Sequence, residues 1–216
     1  MNPAFAHVDC WVFDLDNTLY PATGPIWDSI GVRMTAYVMR ATGLPQAEAY
    51  ALQERYLLDH GATMVGLVEH HAVDPHHFLA DVHDIDFSIV AEDHELRDLL
   101  NALPGRRIVY TNGAEKYARN VLARLGVAEA FDDVFAIDNA DLFPKPRRES
   151  FDRLIARYAI EPARSVMVED TPRNLVPAHE LGFKTVLIHP EHAADWPEHI
   201  HHATDCVKAF LRGVLT

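Results

Sequence analysis

The chain has 216 residues, 49% hydrophobic and 24% charged, with a net charge of −13 at neutral pH. This length fits one large domain, or one domain with a sizeable insertion, and the composition is that of an ordinary soluble globular protein. The acidic balance argues against a nucleic acid polymer as partner, because a phosphate backbone is held by clustered Lys and Arg, but it permits a small phosphate ester, which needs only a local positive pocket.

No apolar run approaches the roughly 20 residues that span a bilayer, so no membrane partner is expected. The first residues, Met1 to His7, lack the basic start and apolar core of a signal peptide, and a cytoplasmic location is the expectation. Cys10 and Cys206 make no disulfide framework. The adjacent pairs His70-His71, His76-His77 and His201-His202 do not face one way on a helix, so solvated histidines are expected there rather than metal ligands.

Trp11 to Phe13 is a short polar-free run, expected as a strand buried on both faces of a parallel sheet. It leads into Asp14-Leu15-Asp16-Asn17-Thr18. After Pro21 the pattern turns helical: Ile26, Ile30, Met34, Tyr37 and Val38 recur at three- and four-residue steps. Thr42-Gly43-Leu44-Pro45 breaks that helix, Gln46 to Leu58 forms a second and Met64 to His71 a third, and Asp74-Pro75 opens a fourth with Asp as cap and Pro in the first turn. No strand is expected between Tyr20 and Val90. From Asp93 onward strands and helices alternate: helix Glu95–Leu103, strand Ile108–Tyr110, helix Ala114–Leu125, strand Val134–Ile137, helix Glu149–Tyr158, strand Ser165–Val168, helix Leu175–Leu181, strand Thr185–Ile188, loop Pro190–Ile200 and helix Val207–Leu215. Such alternation predicts an α/β fold, a doubly wound parallel sheet formed by residues 1–19 and 91–216, with residues 20–90 inserted as a helical domain.

Four polar groups share one position, the region just after an apolar strand. They are Asp14 with Asp16, Thr111 with Asn112, Lys145 in the Pro144-Lys145-Pro146 loop, and Glu169 with Asp170. A parallel sheet gathers the carboxyl ends of its strands on one edge, so the fold would bring these groups together. Each also has a plainer reading: Asp-Asn-Thr as a turn and cap, Thr111-Asn112-Gly113 as a turn, Lys145 as part of a rigid surface loop, Glu169-Asp170-Thr171-Pro172 as a helix start. Together their chemistry fits a phosphate ester. Carboxylates can hold Mg²⁺, while a hydroxyl, backbone N–H groups and an ammonium can hold phosphate oxygens.

These four pieces resemble the four motifs of the haloacid dehalogenase superfamily of phosphohydrolases: Asp14, Asp16 and Thr18; Thr111; Lys145; and Glu169 with Asp170. Asn174 stands where many members carry another acid, so it is expected to act from behind the metal ligands, with Glu169. The resemblance covers nearly the whole chain and implies a helical cap where residues 20–90 lie. It also implies Mg²⁺ held by Asp14, Asp170 and the backbone carbonyl of Asp16, with Asp14 as nucleophile and Asp16 as general acid and base. Thr111, Asn112 and Lys145 would bind phosphate. The stretches Asp16–Pro21, His60–Leu67 and Phe143–Pro146 resemble the pyrimidine 5′-nucleotidase branch, which implies a nucleoside 5′-monophosphate as substrate, with Ala62 and Met64 departing from its pattern. Tyr20, Trp27, Tyr50, Tyr56 and Phe78 offer aromatic faces for a base, although helical spacing makes most of them core residues. The competing readings are a phosphatase or phosphomutase for a sugar phosphate or phosphoglycolate, a dehalogenase, disfavoured by Asp16 and the acidic pair, and a non-catalytic binding protein on the same fold. The sequence leaves the oligomeric state open.

Overall fold

The computed structural model of the chain describes residues 1–21, 24–190 and 195–216. Six parallel strands, β1 (Cys10–Phe13), β2 (Arg106–Tyr110), β3 (Asp133–Phe135), β4 (Ser165–Glu169), β5 (Lys184–Ile188) and β6 (His202–Thr204), form one sheet in the order β3-β2-β1-β4-β5-β6. The chain builds outward from β1 to one side, then returns to build on the other. This reversal opens a crevice at the carboxyl ends of β1 and its neighbours, where ligands bind in doubly wound sheets.

The polar-free sequence of β1 follows from its place in the middle. Trp11 and Phe13 point into one apolar layer, which includes Leu96 and Leu100 of α5 (His94–Ala102), Tyr117 and Val121 of α6 (Glu115–Leu125), and Phe210 and Leu211 of α9 (Val207–Leu215). Cys10 and Val12 point into the other, with Phe151 and Leu154 of α7 (Arg148–Tyr158) and Leu175 and Ala178 of α8 (Pro172–Leu181). Burial of each large side chain contributes roughly 1.5–3 kcal/mol, and the Trp11 indole N–H is satisfied by the Pro104 carbonyl at 2.8 Å. No charged residue could occupy β1 without a partner on either face.

Between β1 and α5 lie α1 (Pro25–Thr42), α2 (Gln46–His60), α3 (Thr63–His71) and α4 (Pro75–Val82), with no strand among the described residues. Tyr37, Leu52, Tyr56, Leu67, Phe78 and Val82 form their common core. Gly66 lets α3 approach α2: a Cβ there would stand 2.3 Å from the Tyr56 ring. The block is anchored to the sheet side at both ends. Ile26 and Ile30 of α1 belong to the sheet's apolar layer, and Ile137, from beyond β3, inserts into the helical core. Among the described residues no helix is long and apolar enough to cross a membrane.

Three elements differ from expectation. β3 ends at Phe135, and Ile137 instead opens a short 3₁₀ turn through Ala140 that carries it toward the helical block. α8 starts at Pro172 because Thr171-Pro172 places Pro in the first turn, where its missing N–H costs nothing. β6 was not expected at all; its His202 and Ala203 are exposed, so it lacks the apolar run that marks the inner strands. Within the expected loop Pro190–Ile200, residues 191–194 lie outside the described residues.

Candidate active site

β1 and β4 end side by side, and the backbone N–H of Asp14 still bonds the Val168 carbonyl at 2.8 Å. The chain then turns sharply. The N–H groups of Thr18 and Leu19 both reach the Leu15 carbonyl, and Asn17 takes a left-handed φ of 64°, a conformation Asn tolerates better than most residues. Both aspartates line one cavity, but they meet different partners. Asp14 shares Lys145 with Tyr110 of β2 and Glu169 of β4, while Asp16 accepts from Tyr117 of α6.

Lys145 is the hub below Asp14. Its side chain is 1% exposed, and its Nζ donates to Asp14 Oδ1 at 2.6 Å, Glu169 Oε1 at 2.9 Å and the Tyr110 carbonyl at 2.9 Å. Glu169 Oε1 also accepts from Asn174 Nδ2 at 2.6 Å, and Glu169 Oε2 from the Thr171 N–H at 2.6 Å. Asn174 therefore orients Glu169. Asp170 is reached by Asn17 Nδ2 at 3.4 Å and by the Thr171 hydroxyl at 3.2 Å. The loop carrying Lys145 is held from two sides. Asn112 accepts from the Lys145 N–H at 2.7 Å and donates to its carbonyl at 3.1 Å. Gly61, at the end of α2 with φ 84°, lies so close that a Cβ would meet the Lys145 carbonyl at 2.9 Å. Both polar atoms of the Asn112 side chain are engaged by the Lys145 peptide, so this side chain positions the lysine and leaves the Asn112 backbone N–H as the group expected to meet phosphate.

Oxygens of Asp14, Glu169 and Asp170 lie within 4.8 Å of one another, a set of hard donors suited to a divalent cation. One ammonium faces three carboxylates. Burial pushes Asp14 up to about 7 against the pull of Lys145, and pushes Asp170 up to about 9, with repulsion from Glu169 adding to it. Glu169 is held below its ordinary value: burial alone would raise it, but Lys145 and its hydrogen bonds prevail. Burial would lower Lys145, yet attraction to Asp14 and Glu169 outweighs it and holds the ammonium above its usual range. The donor set thus fits Mg²⁺, with Glu169 drawn into the cluster beside the expected Asp14 and Asp170. The Asp16 carboxylate is turned away from the cluster, which leaves its main chain as the group expected to serve a metal.

The sign of the stability change with pH follows from these shifts. Asp14 and Asp170 bind protons more tightly in the folded state than in the unfolded one, so their contribution is full below about pH 4 and is lost as pH rises through about 7 and then about 9. The opposite contribution of Glu169 falls away only at acid pH, and that of Lys145 persists across the window. With chelator present, the melting temperature is expected to fall between about pH 5 and about pH 9, and saturating Mg²⁺ should flatten the fall. A rising melting temperature over that window in chelated protein would contradict the electrostatic account; calorimetry in paired buffers decides it.

Asp16 has its own surroundings. The hydroxyls of Tyr20 and Tyr117 both donate to its Oδ1 and stand 3.0 Å apart, and Thr111 Oγ1 lies 3.4 Å from its Oδ2 while accepting from the Gly113 N–H at 2.9 Å. Burial and the Asp16 charge push both phenols far above their ordinary range, so they stay donors. The His83 ring stacks on Tyr117 at 4.3 Å, and burial lowers its basicity. Tyr20 is thereby removed from the aromatic faces expected to meet a base, and Tyr56 is buried in the helical core, while Trp27, Tyr50 and Phe78 line the crevice. The sequence marks Tyr117 only as an inward position of α6 and carries no mark at His83. No local spacing links either to Asp16; the fold alone does.

The sequence profile of the haloacid dehalogenase-like hydrolases matches residues 8–182, from β1 to the end of α8. The chain belongs to this family. As a member of the haloacid dehalogenase-like hydrolases, it is 27% identical over 194 residues to a glyceraldehyde 3-phosphate phosphatase of Methanothermobacter thermautotrophicus, covering 83% of this chain and 84% of that protein. A HAD phosphatase from Thermococcus onnurineus has the same fold (TM-score 0.62, 22% identity, 96% of this chain and 98% of that one). So has the L-2-haloacid dehalogenase of Xanthobacter autotrophicus (TM-score 0.61, 15% identity, 96% and 98%). At such identities these last two speak for the fold alone.

The histidine pairs lie at the surface, as expected: His70, His76, His77, His201 and His202 are exposed and His71 is partly so. His71 bonds the Tyr56 hydroxyl at 2.9 Å, His77 that of Tyr37 at 2.8 Å and His201 that of Thr185 at 2.8 Å, while His70 lies with His60 and Glu69 in a second cluster within 4.8 Å. Cys10 is buried in β1, and Cys206 is exposed.

Proposed function

We propose that this hydrolase is a Mg²⁺-dependent phosphatase of small phosphomonoesters, working through an aspartyl-phosphate at Asp14. The observation that carries the reading is Lys145 buried at 2.6 Å from Asp14 at the end of β1, with Asp16 on the far side of the turn. An oxygen of Asp14 attacks phosphorus as the ester oxygen leaves, and Asp16 gives that oxygen a proton; in the second step Asp16 takes a proton from the water that cleaves the acyl phosphate. Lys145 and the Thr111 hydroxyl stabilise charge on the transferring group, while Asn112 keeps the lysine in place. Asp14 and Asp170, with the main chain of Asp16 and the neighbouring Glu169, would hold Mg²⁺, which when bound offsets the repulsion between a phosphate dianion and these carboxylates. Residues 20–90 serve as a cap: they roof the crevice, exclude water and contact the part of the substrate that does not react.

Two substrate readings have support. The stretches at residues 16–21, 60–67 and 143–146, and the aromatic faces of Trp27 and Tyr50 at the crevice, favour a pyrimidine nucleoside 5′-monophosphate. The archaeal relative favours a small sugar phosphate. Phosphate release from UMP, CMP, dTMP, AMP, glucose 6-phosphate and glyceraldehyde 3-phosphate, compared as kcat/KM in one buffer, separates them; a tenfold lead, about 1.4 kcal/mol of transition-state binding, is decisive either way. Chelation with EDTA is expected to abolish turnover and Mg²⁺ to restore it. Full activity after thorough chelation would refute the metal's part in the proposal.

A further inference from the structure

The carboxylate cluster lies at one end of a cavity of about 1580 Å³ between the sheet and α1–α4, above the roughly 300–1,000 Å³ of ordinary ligand sites. The far part of this cavity has two properties that the phosphate end does not require. First, its rim is apolar where a surface should be polar. Val32 is 72% exposed, Leu58 71%, Tyr50 53% and Trp27 39%, and all four border this one cavity. Exposed apolar groups scattered over a surface need no explanation, but a set converging on a cleft does. Second, away from the phosphate end the lining carries more negative than positive charge. Among the described lining residues the basic side chains are Lys145, Arg173 and His83. Lys145 is enclosed by Asp14 and Glu169. The Arg173 guanidinium is tied to the carbonyls of Leu57 at 2.8 Å and Leu58 at 3.2 Å, which end α2. His83 is stacked on Tyr117, and burial lowers its basicity. Meanwhile Asp28 and Glu54 add negative charge to the lining.

We propose that this cavity selects phosphomonoesters whose alcohol is uncharged and carries an apolar or aromatic body, and that it rejects esters bearing a second anionic group. The inference rests on the phosphatase reading of the Asp14 end. A carboxylate or second phosphate on the alcohol would meet the charges of Asp28 and Glu54, with only Arg173, already donating to the Leu57 and Leu58 carbonyls, to offset them. An apolar body would instead cover Trp27, Val32, Tyr50 and Leu58. The occupant is the substrate rather than a second protein, because these side chains line the same continuous space that ends at Asp14.

The test is kcat/KM for phosphate release, with Mg²⁺, from phenyl phosphate, butyl phosphate, glycerol 3-phosphate, phosphoglycolate and propane-1,3-diol bisphosphate. Phenyl and butyl phosphate are expected to exceed phosphoglycolate and the bisphosphate by at least about tenfold. Glu54→Lys should raise the ratio of phosphoglycolate to phenyl phosphate, and Leu58→Ser, a change at an exposed position, should raise KM for phenyl phosphate. Parity, or a lead for the doubly anionic esters, overturns the inference while leaving the phosphatase reading intact. Turnover of none of these esters, of nucleotides or of sugar phosphates overturns the phosphatase reading, and this inference with it. A dimer that Val32→Lys dissociates without changing kcat/KM for any ester would show that the apolar rim serves self-association and would equally overturn the inference.

Discussion

Asp14→Asn should abolish phosphate release, by about 10⁴-fold or more, while the protein stays folded. An amide has no anionic oxygen for in-line attack, and no other residue at the end of β1 can replace it: Glu169 is engaged by Lys145, Asn174 and the Thr171 N–H. Asp16→Asn should be defective for a different reason. The nucleophile remains, but the group that gives and takes the proton is gone, a loss of roughly 10²–10⁴-fold with poor leaving groups. With an activated aryl phosphate the first step needs little help, so that variant should show a burst and then stall. Tyr20 and Tyr117, which both donate to Asp16 Oδ1, would retain a partner in the amide oxygen, so a folding defect is not expected. Rapid-quench kinetics separate the two variants; wild-type turnover by either one contradicts the roles proposed for these aspartates.

Lys145→Met should impair both stability and catalysis. Removing one partner of a buried ion pair leaves charge without compensation and costs about 3–5 kcal/mol; here two carboxylates, Asp14 and Glu169, lose their shared ammonium. For a chain of this size that corresponds to a fall in melting temperature of roughly 10 °C. The loss should be larger at alkaline than at acid pH, because protonation of Asp14, already pushed up to about 7, relieves the unpaired charge. Mg²⁺ should recover part of the melting temperature, since it supplies positive charge to the same carboxylates. It should not recover turnover, because the ammonium facing the transferring phosphoryl group is still missing, a deficit of about 10²–10³-fold. Arg164, in an exposed pair with Asp9, is the control: Arg164→Ala should leave both quantities nearly unchanged. A Lys145→Met variant with native stability and activity would refute the hub assigned to this side chain.

How much of this could be read from the chain alone depends on how local each signal is. The strands that bury both faces announce themselves as polar-free runs, so β1 and β4 and the groups at their ends were legible, and the parallel order followed from alternation. β6 was not, because an exposed edge strand ending in His202-Ala203-Thr204 has no apolar pattern to betray it. The helical block was legible from its periodicity, but Ile137 crossing into its core was not, since nothing in a single residue between β3 and a 3₁₀ turn reveals which layer it joins. At the site, Asp14, Asp16, Thr111, Lys145, Glu169 and Asp170 do share one edge of the sheet. Tyr117 lies 101 positions from Asp16, beyond any local pattern, and its periodic place on α6 predicts only that the ring faces inward. The pairing of the Asn112 side chain with the Lys145 peptide spans 33 residues, and only the folded chain discloses it.

The claim on which the rest depends is that phosphate passes through Asp14. The direct measurement is tandem mass spectrometry of Asp16→Asn protein, mixed with Mg²⁺ and an aryl phosphate, quenched in acid within the burst and digested. The account predicts one added phosphoryl group on the peptide containing Asp14, fragmenting to that residue, and none in Asp14→Asn protein treated identically. Phosphate on any other residue, or an unmodified Asp14 in a sample that has released a stoichiometric burst of phenol, would contradict it.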